Sequence, residues 1–364
     1  MKKSAKKSQK IVVKVGSSIL TGGSLSIVPQ NLRRIVRHIA NFSKEGKDII
    51  LVTSGAIASG LSVLGFKKRP TALSELQAAA AVGQNILMQA YNSELEKFGL
   101  KGAQILLTRE DFSDRKRYLN ARNTINTLLQ HKVIPIINEN DAVSVDEIKF
   151  GDNDTLSARV AAAVEADGLL ILTDIDGLYE SFDPKTHTGK LIKEVKKITP
   201  EIEKIACGTD KTSCIGGMST KIEAVRIATN MGITSICASG VKDTLSINFD
   251  ALSYALYDGT RFPAVKFISS KKHWIAFEAK THGRIFVDDG AKVALVQNFK
   301  SLLAPGVVNI EGDFKTGDIV EIADSRRECF AKGKVNFSCE ELSEVKGKKV
   351  KNEVVHRDNL VILG

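Results

Sequence analysis

The feature of this sequence that most constrains its fold is the alternation of short apolar runs with longer segments of helical spacing. The runs are rich in Val, Ile and Leu, and each ends in a polar or glycine-containing turn. They are Ile11–Val15, Ile49–Thr53, Ala103–Thr108, Val133–Asn138, Gly168–Thr173 and Thr234–Ala238. Helical spacing follows in Leu76–Phe98, Leu156–Ala166 and Ile222–Met231. This alternation predicts an α/β fold: a three-layer αβα sandwich around a mainly parallel sheet.

The pattern changes near residue 265, where helical spacing ends and short runs punctuated by Gly or Asp begin. These runs predict a small C-terminal domain that resembles a β-barrel. The chain is therefore divided into a basic tail (1–10), an α/β domain (11–268), a linker (269–282) and a C-terminal β domain (283–364).

Charge and hydropathy exclude several classes of protein. The net charge is +10, and five lysines lie in the first ten residues, which predict a solvated, disordered tail. The C-terminal part from Lys271 carries 16 basic and 14 acidic residues, a weak balance for binding nucleic acid. The apolar stretch after the tail is interrupted by Lys14, so neither a secretion signal nor a membrane span is expected. Five scattered cysteines fit a reducing cytosol, and we expect a cytoplasmic protein.

Lys14 interrupts the first apolar run and is followed by Gly16 and two serines. A buried ammonium group is costly unless it meets an opposite charge. A lysine followed by free backbone amides at a strand end forms a cradle for phosphate. The alternative, an edge-strand lysine that points into water, remains open from this stretch alone.

Polar residues gather after two other runs. Ser54 and Gly55 follow the second run, and Asn138 to Asp141 follow the fourth. A second acidic and amide cluster, Gly151 to Asp154, precedes a helix. Ligands of parallel sheets bind at the carboxyl ends of the strands. These clusters predict a site for an α-amino group, the alternative being a solvated loop rich in Asn and Asp.

Two further segments fit a nucleotide site. Thr173 and Asp174 follow a very apolar run, where they can contact a nucleotide or simply cap a helix. The segment Ile215–Lys221 contains two glycines that let a ligand approach the backbone, and its lysine lies in the first turn of a helix. A lysine there indicates an anion, or else an ordinary surface lysine. Two lysines, glycine turns and a carboxylate cluster suit phosphoryl transfer, which needs no covalent nucleophile from the protein.

The ordered motifs identify a family. VVKVGSSIL, VTSGAIASG, PIINENDAVS, GDNDTLSA, LTDIDGLY and GGMSTK occur in the order found in the bacterial glutamate 5-kinase family of the amino-acid-kinase superfamily. The C-terminal stretch GRIFVDDGAKVAL to GDIVEI resembles the PUA domain attached to many of these enzymes. One departure is that Cys214 and Ile215 replace the family's usual Gly and Thr, which affects side-chain contacts to ATP at that position.

The resemblance implies the reaction and the residues that perform it. ATP would phosphorylate the side-chain carboxylate of L-glutamate, with Mg²⁺ held by ATP phosphates and water and not by the protein. The residues implied to be catalytic are Lys14, Lys221 and Asp154. Those implied to bind glutamate are Ser54, Gly55, Asn138, Asp141, Asp152 and Asn153. Those implied to bind ATP are Lys14, Gly16, Thr173, Asp174, Ile215, Gly216, Gly217, Met218, Ser219, Thr220 and Lys221.

The resemblance also implies partners. These are proline as a feedback inhibitor, a second copy of the chain in a dimer or tetramer, and glutamyl-phosphate reductase as a channelling partner, with neither RNA nor a membrane involved. The competing interpretations are a related kinase acting on aspartate, acetylglutamate or a nucleoside monophosphate, and an RNA-binding PUA protein. Carboxylates near the acceptor favour a free ammonium group, which argues against acetylglutamate and the nucleotide.

Overall fold

The computed structural model describes residues 8–143, 153–183, 188–207, 217–247, 249, 258–265 and 269–363. The chain divides into two compact units. The first comprises Met1–Arg109 and Asn120–Phe267, and the second comprises Glu110–Leu119 and Ile268–Gly364. Within the described ranges, no helix is both long and apolar enough to cross a bilayer.

The first unit is built on a seven-stranded sheet. The strands of this sheet are β1 (Lys10–Val15), β2 (Asp48–Thr53), β3 (Lys101–Leu107), β4 (Val133–Glu139), β5 (Gly168–Thr173), β8 (Thr234–Ser239) and β9 (Thr260–Phe262). Between β5 and β8 in the chain, β6 (Tyr179–Asp183) and β7 (Thr188–Leu191) form a separate two-stranded hairpin. The sheet order is β3-β4-β2-β1-β5-β8-β9, and every pairing is parallel except β8 with β9. The carboxyl ends of the parallel strands therefore meet along one edge.

Helices cover both faces of this sheet. They are α1 (Ser17–Thr21), α2 (Pro29–Lys44), α3 (Ala56–Leu61), α4 (Leu73–Glu96), most of α6 (Arg115–Gln130), α7 (Asn153–Val164), α8 (Pro200–Cys207) and α9 (Met218–Asn230), whereas all but the first residue of α5 (Arg109–Ser113) and the start of α6 belong to the second unit. On one face, Val13 of β1 packs in an apolar cluster with Ile35 of α2 and Leu87 of α4. Because side chains alternate along a strand, Lys14 points to the other face, where α7 contacts β1. The predicted three-layer α/β sandwich is confirmed.

The predicted apolar runs correspond closely to strands, and β5 has the predicted bounds. The first strand begins one residue earlier than expected, at Lys10, which had been assigned to the basic tail. Its backbone N–H donates to Asp167 Oδ2 at 2.7 Å, and the residue pairs with Asp48 of β2. Lys10 is therefore part of the sheet.

The second unit contains a five-stranded sheet, and its C-terminal part contains the helices α10, α11 and α12. The elements of this part are α10 (Ser270–His273), β10 (Thr281–Val287), α11 (Asp289–Val296), β11 (Val307–Gly312), β12 (Ile319–Ala323), β13 (Cys329–Val335), α12 (Cys339–Val345) and β14 (Val355–Ile362). The sheet order is β11-β10-β12-β13-β14, with β10 and β12 parallel. Its core packs Ile285, Phe314 and Val320 together. This agrees with the small β-rich domain expected from the sequence.

The range 269–282, predicted as a linker, is ordered along most of its length. It contains α10, a π-helical segment Trp274–Glu278 and the start of β10. Trp274 is only 9 % exposed, and its Nε1 donates to the carbonyl oxygen of Phe112 at 2.8 Å. The structure thus differs from a plain linker because the indole group is buried and hydrogen-bonded.

Helices α3 and α4 cross at a pair of glycines. A Cβ atom added to Gly83 would overlap the carbonyl oxygen of Ala56, and one added to Gly60 would overlap the carbonyl oxygen of Ala79. Only hydrogen atoms fit between the two backbones at this crossing. Because α3 begins directly after Gly55, the crossing also sets the position of the turn that follows β2.

We expect Gly83→Ala to lower the free energy of unfolding by about 3 kcal/mol, since the added methyl group forces the two helices apart. Urea unfolding monitored by circular dichroism would measure the loss. Ala81→Ser, which adds one atom at an exposed position of the same helix, serves as the control. Equal stability of the two variants would contradict the assigned crossing.

Candidate active site

Lys14 lies inside the sheet rather than at an edge. It is the penultimate residue of β1, paired with Val52 of β2 on one side and Ile171 of β5 on the other. Its exposed fraction is 4 %. Its Nζ contacts Oδ1 of Asp154, so the buried charge has the opposite charge that it requires.

Asp154 joins three side chains. It lies in the first turn of α7 with an exposed fraction of 1 %. Oδ1 contacts Lys14, while Oδ2 lies 3.4 Å from Lys221 Nζ and accepts a hydrogen bond from Thr220 Oγ1 at 2.9 Å. Two ammonium groups from distant parts of the chain therefore share one carboxylate. A single phosphate group beside them would be within reach of both.

Glycines shape the backbone around the two lysines. Gly217 precedes α9 with φ of 85°, a conformation that disfavours other residues, and its carbonyl oxygen accepts a hydrogen bond from Lys221 Nζ at 3.0 Å. A Cβ atom on Gly16 would lie 3.5 Å from Lys14 Nζ. The lack of a side chain at Gly16 leaves the space beside the ammonium group open to a ligand.

Cys237 lies on β8 near the same charges. Burial raises the pKa of its thiol to about 12, although the nearby lysines favour the thiolate. The thiolate is the reactive form of cysteine, and it is negligible at neutral pH with such a pKa. Cys237 is therefore an unreactive residue beside the charged cluster and not a nucleophile.

A cavity of about 230 Å³ opens at the carboxyl ends of β2 and β4. It is lined by Ser17, Thr21, Ser24, Leu25, Ser54, Gly55, Ile57, Ala58, Leu61, Arg69, Asn138, Glu139, Asp141 and Asn153. Glu139 and Asp141 contribute carboxylates, and Arg69 is the one basic residue among the described residues of the lining. The cavity can therefore accept a small molecule that carries both signs of charge.

Asn153 links this cavity to the charged cluster, because it directly precedes Asp154 at the start of α7. Its Nδ2 donates to Ser54 Oγ at 3.0 Å and to the carbonyl oxygen of Thr53 at 2.6 Å. The residue is 7 % exposed. These bonds fix the start of α7 against the end of β2, and hence fix the position of Asp154.

The other predicted nucleotide residues lie at two places. Thr173 ends β5 and is buried, and its hydroxyl donates to Oδ1 of the exposed Asp174 at 3.1 Å. Met218 and Ser219 begin α9. Asp152, Ile215 and Gly216 lie outside the described residues.

Comparison with known proteins identifies the family of this chain. The sequence model of the amino acid kinase family matches residues 9–239, more than half of the chain. The chain belongs to the amino acid kinase family. A PUA domain matches residues 283–356 of this kinase.

The kinase also resembles individual relatives along nearly its whole length. It is 46 % identical over 367 residues to the glutamate 5-kinase of Thermoanaerobacter sp. (strain X514), covering 97 % of this chain and 98 % of the relative. It is 42 % identical over 368 residues to the glutamate 5-kinase of Moorella thermoacetica, covering 98 % and 97 %. The family resemblance predicted from the motifs is confirmed.

Two charged residues of the kinase cavity were missed among the predicted site residues. Glu139 is the last residue of β4 and lies in the predicted cluster from Asn138 to Asp141, but it is not among the residues that the resemblance implies. Arg69 lies in the exposed segment between α3 and α4, where Lys67 and Lys68 precede it. Nothing local distinguishes Arg69 from these two lysines, and only the folded chain places it at the cavity.

A substitution of Asp154 can test whether its carboxylate stabilises the two ammonium groups of the kinase site. We expect Asp154→Asn to lower the free energy of unfolding by about 3–5 kcal/mol, because both ammonium groups lose their shared counter-charge. Urea unfolding in a buffer free of phosphate and sulfate would measure it.

Inorganic phosphate should restore part of the stability of Asp154→Asn, because an anion that binds only the folded state stabilises it. Asp174→Asn, which removes an exposed carboxylate, is the control. Stability of Asp154→Asn equal to that of this control would contradict the shared ion pair.

Proposed function

We propose that this protein is a glutamate 5-kinase, which transfers the γ-phosphoryl group of ATP to the side-chain carboxylate of L-glutamate. The product is L-glutamyl 5-phosphate, and the reaction is the first step of proline biosynthesis. The observation that carries the proposal is the sharing of Asp154 by Lys14 and Lys221, next to a cavity with both signs of charge. The relatives named glutamate 5-kinase support the choice of substrate.

The proposed chemistry is a direct displacement. The γ-carboxylate of glutamate is already ionised at pH 7, since its ordinary pKa is about 4.3, so no general base is required. A carboxylate oxygen bonds to the γ-phosphorus as the bond to the bridging oxygen of ADP breaks. The obstacle is repulsion between two anions. Lys14 and Lys221 offset this repulsion on the oxygens of the migrating phosphoryl group, and Asp154 keeps both ammonium groups in place.

Both oxygens of Asp154 face the ammonium groups and the Thr220 hydroxyl. Within the described ranges, no group of three or more His, Cys, Asp or Glu side chains could hold a metal. By the resemblance, a Mg²⁺ ion that accompanies ATP would be held by phosphate oxygens and water, where it would neutralise phosphate charge.

Glutamate fits the charges of the acceptor cavity. Its ammonium group can meet the carboxylates of Glu139 and Asp141, and its α-carboxylate can meet the guanidinium group of Arg69. Ser54 and Asn153 lie between this cavity and Asp154, on the side from which the γ-carboxylate must approach.

Further parts of the proposal rest on the resemblance alone. They are feedback inhibition by proline, assembly into a dimer or tetramer, transfer of the product to glutamyl-phosphate reductase, and a cytoplasmic location.

The wild-type protein should form γ-glutamyl hydroxamate from glutamate, MgATP and hydroxylamine. We expect Lys14→Ala and Lys221→Ala each to lower kcat by about 10²-fold or more, because each removes one charge that stabilises the transition state. Lys197→Ala, which removes an exposed lysine outside the site, is the control. Either variant within threefold of this control would contradict the assignment.

Arg69 should recognise the α-carboxylate of glutamate. We expect Arg69→Leu to lower the ratio of kcat/KM for glutamate to that for its α-amide by about tenfold, since a charge-assisted hydrogen bond is lost only for glutamate. Lys68→Leu, a neighbouring change outside the cavity lining, should leave the ratio unaltered. Equal losses on both substrates in Arg69→Leu would refute the contact.

A further inference from the structure

Four side-chain amides form a continuous chain of hydrogen bonds from helix α4 to the acceptor cavity. Gln84 Nε2 donates to Gln104 Oε1 at 3.2 Å, and Gln84 Oε1 accepts from Asn138 Nδ2 at 2.8 Å. Asn138 Oδ1 then accepts from Asn153 Nδ2 at 2.8 Å. The chain ends at Ser54 Oγ, which also accepts from Asn153 Nδ2.

Gln84 Oε1 is the acceptor for the outer end of the next amide, Asn138. An amide has a donor end and an acceptor end, and a half-turn exchanges them. Asn138 Oδ1 faces inward, where it accepts from the backbone N–H of Glu139 at 3.0 Å, so Asn138 Nδ2 faces outward and donates to Gln84 Oε1. A reversed Asn138 would place its NH₂ group against two donors.

Asn138 Oδ1 in turn holds one side of the Asn153 amide. The NH₂ group of Asn153 is shared among Asn138, Ser54 and the carbonyl oxygen of Thr53. Its Oδ1 accepts no hydrogen bond within the described part of the chain, so this oxygen is available to the ammonium group of a substrate.

Gln84 itself does not line the acceptor cavity. It lines a neighbouring cavity of about 280 Å³, together with Gln104. It follows Gly83, the residue at which α4 meets α3 without room for a side chain. That crossing sets where α4 lies, and hence places the Gln84 amide within reach of Asn138.

We propose that Gln84 is a positioning residue for the acceptor substrate, acting through Asn138 on Asn153. The inference rests on the proposed function, because it takes glutamate as the molecule whose binding the two asparagines control. Gln84 should affect nucleotide binding little, because the bonds from Asn153 Nδ2 to Ser54 Oγ and to the carbonyl oxygen of Thr53, which hold the start of α7, do not involve Gln84.

Gln84→Met keeps the length of the side chain and removes both of its hydrogen-bonding groups. We expect it to raise KM for glutamate by about tenfold, the cost of leaving a buried amide donor without its acceptor. KM for ATP should stay within about twofold of wild type because no nucleotide contact changes. Hydroxamate assays with each substrate varied in turn would measure both constants.

A double-mutant cycle separates positioning from general structural damage. In an Asn138→Ala background, Gln84→Met should have no further effect on KM for glutamate, because its only route to the substrate is already removed. Equal effects of Gln84→Met in both backgrounds, or equal rises in KM for ATP and glutamate, would overturn the proposal.

Two variants complete the test. Gln84→Glu retains an oxygen acceptor for Asn138 Nδ2, so its KM for glutamate should lie closer to wild type than that of Gln84→Met. Gln104→Met removes only the outer, exposed partner and should change KM for glutamate by less than about twofold. A KM of Gln84→Glu as high as that of Gln84→Met would count against the proposal, and so would a Gln104→Met effect as large as that of Gln84→Met.

The wild-type assay distinguishes the two hypotheses. No glutamate turnover by the wild-type protein would refute the proposed function. Wild-type turnover with an unchanged KM in Gln84→Met would refute only the role of Gln84.

Discussion

The buried carboxylate of Asp154 is the interaction on which the rest of the site depends. It neutralises one of two ammonium groups that would otherwise repel each other inside the protein, and it leaves the cluster with a net positive charge. Such a cluster attracts an anion without needing a permanent one to fold. A migrating phosphoryl group supplies the missing negative charge at the moment when charge must be stabilised.

The fold brings these groups together by simple means. Lys14 comes from a central strand, while Asp154 and Lys221 come from the first turns of two helices that pack against each other on the same face of the sheet. Helix starts also present free backbone N–H groups, which favour anions. Because the strands are parallel, all of these elements lie at one edge of the sheet. The crossing of α3 and α4 at their glycines places the acceptor cavity at the same edge, because α3 begins directly after the turn that follows β2.

Part of this arrangement could be predicted from local sequence. The predicted strand Gly168–Thr173 has the observed bounds, because a short run of aliphatic residues between turns is typical of a buried strand. Lys14 stands out in the sequence because a charge interrupts such a run. Gln84 does not stand out, because Asn138, to which it is hydrogen-bonded, lies 54 residues away along the chain. Arg69 does not stand out either, because Lys67 and Lys68 precede it and only the fold places it at the cavity.

The sequence by itself determined the alternation of strands and helices, the change to a β-rich C-terminal domain and the family, because hydrophobic periodicity and ordered motifs are local properties of a chain. Only the tertiary structure decided that Lys14 and Lys221 share Asp154, that the predicted linker contains a buried Trp274, and that Gln84 is hydrogen-bonded to Asn138. These are contacts between residues distant in sequence, and they depend on strand order and helix packing, which no single segment specifies.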